Sequence, residues 1–194
     1  CQTLRQVAGG PGRPGRASLQ IGSGAVIAQR TGIAVACDFR PGDIAAGGTG
    51  APLVPFFDRI AAEAFDKPVA FQNYGGIGNV CLVPSSGPLL AFDTGPANMI
   101  ADRLVAEMSD GRERFDRDGL IGLSGRLREG LLEAWLRHPF LAKRPPKSSG
   151  REEFGTAFYD ARIAPLLAKQ EQGREALFRD LIRTAEAYAA RSTA

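Results

Sequence analysis

Between Pro68 and Asp102 the chain carries two strand-like segments, Val69 to Asn73 and Val80 to Val83, separated by Gly75-Gly76, a spacing that points to a tight antiparallel hairpin. A glycine pair supplies the positive φ angles that such a turn demands, and it leaves backbone N–H groups with no side chain in front of them. Bare amides of this kind cradle a phosphate where the loop projects into a cleft, and elsewhere a glycine pair is only a turn. A third strand is predicted over Leu89 to Phe92, delivering Asp93 at its carboxyl end, with Pro96 as the first residue of the helix that follows. One carboxylate thus stands beside an anion-friendly helix N-terminus, a position that suits both a general base and a plain helix cap.

Composition excludes several classes around that unit. With 44% apolar and 23% charged residues, the 194-residue chain is ordinary for a globular protein and long enough to bury a sizeable core, as one large domain or two small ones. No apolar run approaches the roughly 20 residues of a membrane span, and no secretory signal is visible, so a cytoplasmic location without membrane contact is expected. The 24 basic and 21 acidic residues are interspersed, and the short Lys143-Arg144-Pro145-Pro146-Lys147 run is no nucleic-acid stripe. Cys1, Cys37 and Cys81 fit neither a disulfide framework nor a zinc pattern.

Along the rest of the chain, residues 1–17 read as a glycine- and proline-rich loop and Ser18 to Ile21 as a short strand. A helix from Ala25 to Thr31 ends at Gly32. Ile33 to Cys37 is apolar enough for a buried parallel strand, which would place the glycine-rich stretch Pro41 to Pro55 at a strand's carboxyl end, where ligands sit in open α/β sheets. A helix over Val54 to Phe65 should pack Phe56, Phe57 and Ile60 on the sheet. Asn98 to Met108 continues the central unit as helix, and Phe115 to Gly119 reads as a turn capping the next one. Leu127 to Leu136 is amphipathic around Trp135, with His138 in a surface or capping role at its end. In the basic loop from Lys143 to Glu153, the residues Lys147, Ser148, Ser149 and Arg151 read either as solvated or as lining an anionic cleft. A long amphipathic helix over Arg174 to Arg191 presents Leu177, Leu181, Ile182, Ala185 and Tyr188 on one side.

Seven motifs then occur in one order: Leu19-Gln20-Ile21-Gly22, Asp38-Phe39-Arg40, the Asp43 to Pro55 string, Gly75 to Asn79, Phe92 to Asn98, Phe115 to Gly119 and Pro145 to Glu152. Together they resemble the anhydro-N-acetylmuramic acid kinases across nearly the whole chain. The resemblance implies an α/β, ribonuclease-H-like (actin-like ATPase) two-domain kinase fold. Residues 1–66 would be the remainder of the first domain with its sugar-site loop, and 67–194 the first part of the second. The implied activity opens 1,6-anhydro-N-acetylmuramic acid by hydrolysis and phosphorylates it to N-acetylmuramic acid 6-phosphate in cell-wall recycling, with ATP and Mg2+ and a possible homodimer.

By the same resemblance Asp93 is the catalytic base, Gly75, Gly76 and Asn79 belong to the second phosphate loop, and Thr3, Arg40 and Asp43 contact the sugar. Cys1, Gln6 and Ala97 depart from the family's usual Gly, His and Gly. A Met-Ser-Gly-Thr-Ser type first phosphate loop and the glycine-rich adenosine motif are not found, and the chain starts at Cys1, so a central segment, incomplete at both ends, is expected. The alternative expectation is a catalytically inactive remnant acting as a sugar-binding or interaction module.

Overall fold

Strand periodicity from Val69 onward produces an antiparallel meander in the computed structural model, which describes residues 3–6, 18–20, 22–46, 52–170 and 172–193. The chain divides into two units, Cys1–Phe57 and Asp58–Ala194. Cys1, most of the first loop and the Gly47 to Ala51 part of the glycine-rich stretch lie outside the described residues.

In the first unit, β1 (Thr3–Gln6) pairs antiparallel with β2 (Ser18–Gln20). Helix α1 (Gly24–Thr31) starts where the Ser23 hydroxyl accepts the Val26 N–H at 3.3 Å, and it stops at Gly32, whose φ of +68° a side chain would resist. The apolar run Ile33 to Cys37 is not the buried strand its composition suggests. It pairs with no described strand and Ile33 is exposed; the side chains of Val35 and Cys37 lie instead over Gly24, filling the space its missing Cβ leaves. The chain then turns at Asp38, with φ +64°, into α2 (Phe39–Ala45), so Arg40 and Asp43 are helical and not in a loop.

Helix α3 (Pro55–Ala61) crosses the division and tightens into a 3-10 turn over Ala62–Ala64. Phe56, Phe57 and Ile60 are exposed, contrary to the amphipathic reading; Ala62 alone of this stretch is buried, against Cys81 and Val83.

The second unit is a mixed α/β body. Strands β3 (Val69–Tyr74), β4 (Ile77–Val83) and β5 (Leu90–Pro96) form an antiparallel sheet in that order. One sheet face, with Phe71, Cys81 and Ala91, closes a small core over Ala62. Burial pushes the Cys81 thiol up to about 11, so it behaves as a small apolar side chain.

The main core is helical: α4 (Asn98–Met108), α5 (Leu120–Leu123), α6 (Glu129–Leu136), α7 (Arg151–Phe154), α8 (Thr156–Arg162), α9 (Ala164–Ala168) and α10 (Arg174–Thr193). Helix α10 follows its predicted stripe, burying Leu177, Leu181, Ile182, Ala185 and Tyr188 against α4, α5 and α6, and it also touches β5. Each fully buried Leu or Ile there contributes about 1.5–3 kcal/mol. The Trp135 side chain fills the centre beside Phe158 and Tyr188. His138 lies just past the end of α6 and is not on the surface as expected: it is partly buried, its ring 4.8 Å from that of Phe154, and its Nδ1 accepts the Phe140 N–H at 3.3 Å.

The turn before α5 is a capping turn. The Asp116 carboxylate accepts the N–H groups of Ile121 at 2.9 Å and Gly122 at 2.7 Å, and it also meets Glu186 of α10. Burial, reinforced by the hydrogen bond to Asp116, pushes the Glu186 carboxyl up to about 7. An acid raised on folding stabilises the fold most below its unfolded value, near 4.5, and that contribution disappears as pH rises through about 7. The denaturation midpoint is therefore expected to fall between roughly pH 5 and pH 8. In Glu186→Gln, which stays neutral and can still donate to Asp116, that slope should flatten; an unchanged slope would assign the pH dependence elsewhere.

Candidate active site

The pairing of β4 with β5 decides what faces what. Asn79 stands opposite Asp93 and Gly78 opposite Gly95, so Thr94 is an extra residue bulged out of β5. Across the hairpin Asn73 pairs with Asn79. Directly paired residues share a sheet face, so Asn73, Asn79 and Asp93 form a polar row at the turn end, next to the apolar row of Phe71, Cys81 and Ala91. Thr94 lies on the opposite face, where a Cβ on Gly78 would stand 2.7 Å from its hydroxyl. Gly78 is thus the residue that makes room for the bulge, a device that re-aims side chains beside active sites.

Asp93 sits in mid-strand and not at the strand's carboxyl end, because β5 continues through the bulge to Pro96, and the helix starts only at Asn98. Its backbone N–H donates to the Lys147 carbonyl at 2.9 Å. Its Oδ2 accepts the Ser149 N–H at 2.7 Å and the Ser148 hydroxyl at 3.1 Å. Burial raises the Asp93 carboxyl above the ordinary carboxylate range; the Ser149 amide and Ser148 hydroxyl oppose this by stabilising the anion, and nearby Glu152 adds to the rise. The result is a half-buried carboxylate held through one oxygen.

The turn beside it differs from expectation. Neither Gly75 nor Gly76 has a positive φ. The turn is shaped instead by its carbonyls, which receive the first amides of α4: Ala97 and Met99 donate to Gly76 at 3.0 and 3.3 Å, and Asn98 donates to Gly75 at 3.0 Å. The Asn98 side chain adds a bond to the Tyr74 carbonyl at 3.0 Å. These amides of the helix N-terminus are therefore already engaged, and the anion-friendly end expected from sequence is occupied by the hairpin. Among the described residues, the N–H groups of Gly75 and Gly76 meet no backbone carbonyl outside the strand ladder, and a Cβ at either position would touch nothing closer than 3.5 Å.

Other sequence candidates fall elsewhere. Gly75, Gly76, Asn79 and Asp93 belong to the second unit, whereas Arg40 and Asp43 share a face of α2, three residues apart, in the first. Thr3 opens β1 there. In the basic loop, Ser148 and Ser149 donate to the Asp93 carboxylate, while Lys147 Nζ turns away to the carbonyls of Phe140 and Leu141 at 3.3 and 3.1 Å. A cavity of about 730 Å³ beside Gly76 is lined by Met99, Asp102, Arg103, Arg151 and Tyr159 among others. No group of three or more His, Cys, Asp or Glu side chains among the described residues could hold a metal ion. Asn73 and Thr94 escaped the sequence reading, although counting alternate residues across the hairpin from Asp93 finds the first.

The second unit is thus a mixed α/β body whose three-stranded antiparallel sheet carries a half-buried carboxylate in mid-strand. The chain belongs to the anhydro-N-acetylmuramic acid kinase family, whose model matches residues 2–194. Among curated relatives, the anhydro-N-acetylmuramic acid kinase of Caldanaerobacter subterraneus subsp. tengcongensis is 46% identical over 148 residues, 75% of this chain and 37% of that protein. The kinase of that name from Thiobacillus denitrificans is 44% identical over 173 residues, 89% and 44% of the two chains. That from Clostridioides difficile is 42% identical over 146 residues, 74% and 38%. The chain spans 37–44% of the length of these relatives.

The two turn glycines and Gly78 should respond differently to a methyl group. Gly78→Ala is expected to destabilise the second unit by about 1–3 kcal/mol, because its Cβ drives into Thr94. Gly76→Ala, with Met99 Cβ at 3.6 Å and no φ to strain, should change stability by less than about 0.5 kcal/mol in the same denaturant titration.

Proposed function

We propose that this chain carries the hydrolytic base and a phosphate-contacting hairpin of an ATP-dependent kinase that opens 1,6-anhydro-N-acetylmuramic acid and phosphorylates it on its sixth oxygen. The observation that carries this reading is Asp93, a half-buried carboxylate that, among the described residues, is held through Oδ2 alone, on the strand paired with the glycine hairpin. The family match over nearly the whole chain, and the name its relatives bear, support the substrate.

The chemistry asks for little machinery of its own. Asp93 takes a proton from a water as the water oxygen bonds to the anomeric carbon. The bond from that carbon to the sixth oxygen breaks, and the freed oxygen attacks the γ-phosphorus of ATP, releasing ADP. The proton on Asp93 then passes to solvent, giving N-acetylmuramic acid 6-phosphate. General-base help of this kind is worth about 10²- to 10⁴-fold, and alignment of water, sugar and phosphate supplies the rest.

In this reading the Gly75 and Gly76 amides and Asn79 meet phosphate, while Thr3, Arg40 and Asp43 meet the sugar, the Arg40 guanidinium matching its lactyl carboxylate. Mg2+ neutralises the nucleotide's phosphates. Such an ion would be held chiefly by those phosphates and by water, as Mg2+ commonly is. The reading also includes the actin-like two-domain fold, divided at residues 66 and 67, a cytoplasmic place in cell-wall recycling, and a homodimer.

Asp93→Asn decides the central assignment. In a coupled ADP-release assay on the chain extended by its genomic flanks, the variant should lose turnover by at least about 100-fold while ATP affinity stays within about 2-fold. Near-normal turnover would remove Asp93 as the base. Sugar binding without turnover in the unaltered protein would favour a binding module.

A further inference from the structure

One short segment meets Asp93 at three points. The Lys147 carbonyl accepts the Asp93 N–H, and the Ser148 hydroxyl and Ser149 N–H both donate to Oδ2. Among the described residues Oδ1 accepts no hydrogen bond. The segment is itself anchored: Lys147 Nζ donates to the carbonyls of Phe140 and Leu141 and lies 4.7 Å from the centre of the Phe140 ring. Phe140 is fully buried in the helical core. The Lys147 cation is thus directed into that core's edge, and what reaches Asp93 from this segment is two neutral donors.

That arrangement separates the two oxygens of one carboxylate. The oxygen holding two donors is the weaker proton acceptor, and the oxygen that accepts no bond among the described residues keeps its lone pairs for another donor such as water. We infer that residues 147–149 form a positioning strap for the base, in which Ser148 and Ser149 hold Oδ2 and leave Oδ1 as the atom that takes the proton from the attacking water. This inference rests on the kinase reading above. In the step it describes, one O–H bond of water breaks, its proton bonds to Oδ1, and the water oxygen bonds to the anomeric carbon as the bond to the sixth oxygen opens. Ser148 and Ser149 transfer no proton; they fix the carboxylate's rotation and favour its anionic form.

The strap also opposes the effect of burial on the Asp93 carboxyl. Burial and the neighbouring Glu152 both disfavour the anion, and the two donors are the groups that oppose them. Removing one donor should therefore move Asp93 toward protonation and loosen its rotation together, which the loss of a merely structural contact would not do.

The test compares wild type, Ser148→Ala and Ser148→Thr in two ways. The 13Cγ resonance of Asp93 is titrated by NMR in the 194-residue chain, and kcat and KM are measured against pH in the chain extended by its genomic flanks. Ser148→Ala is expected to move the Asp93 titration and the acid limb of kcat/KM to higher pH. It should lower kcat on the order of 10-fold and leave KM within about 2-fold. Ser148→Thr, which keeps the hydroxyl, should restore both. Ser148 is exposed, so its truncation removes a donor without opening the core. An Asp93 titration in Ser148→Ala that superimposes on wild type overturns the strap. If that happens while Asp93→Asn is inactive, the strap falls alone; retained turnover in Asp93→Asn overturns the base and the strap's catalytic role together. If neither protein form turns over, the titration still decides whether the strap holds Asp93.

Discussion

The hydrogen bonds from the first amides of α4 to the carbonyls of Gly75 and Gly76 are the constraint on which the second unit depends. A helix start leaves amides without partners, and a hairpin turn leaves carbonyls without them. Here each satisfies the other, which joins sheet to helix within a few residues of Asp93. Because α4 contributes Ile100, Leu104 and Val105 to the helical core and α10 packs across it, the hairpin is tied through α4 to the most buried part of the protein. The polar row of Asn73, Asn79 and Asp93 is therefore carried on a rigid element, as positioning for chemistry requires.

A second tie approaches Asp93 from the other side of the sequence. The loop after Phe140 returns to β5, pairs its Lys147 carbonyl with the Asp93 amide and donates twice to the carboxylate. Between these ties, the bulge at Thr94 decides the register, with Gly78 giving it room and Gly95, at φ +152°, allowing the strand to continue close to Leu141 and Ser192. The Phe92 to Asn98 motif thus has a backbone reason for most of its residues beyond the carboxylate itself.

Periodic segments were legible in the sequence. The hairpin, α4 and α10 lie where spacing predicts them, because each buries a face whose period is set by its own geometry. What was not legible depends on partners distant in sequence. Ile33 to Cys37 has a strand's composition but no described strand to pair with, and Phe56, Phe57 and Ile60 have a helix's spacing but no described core beneath them. Asp93 could be picked out but not placed, since a bulge that extends β5 by several residues has no local signature other than a glycine. The roles of Ser148 and Ser149 were hidden for the same reason: 55 residues separate Ser148 from the carboxylate it holds.

In the proposed reaction Asp93 is aimed, with Oδ2 held by the protein and Oδ1 left for water. The most direct measurement is a crystal structure of the flank-extended chain with the anhydro sugar and a non-hydrolysable ATP analogue. An ordered water is expected within hydrogen-bond distance of Oδ1, on line with the anomeric carbon, while Ser148 and Ser149 remain on Oδ2. A carboxylate turned away from the sugar, or a nucleophilic water held by some other residue, would contradict it.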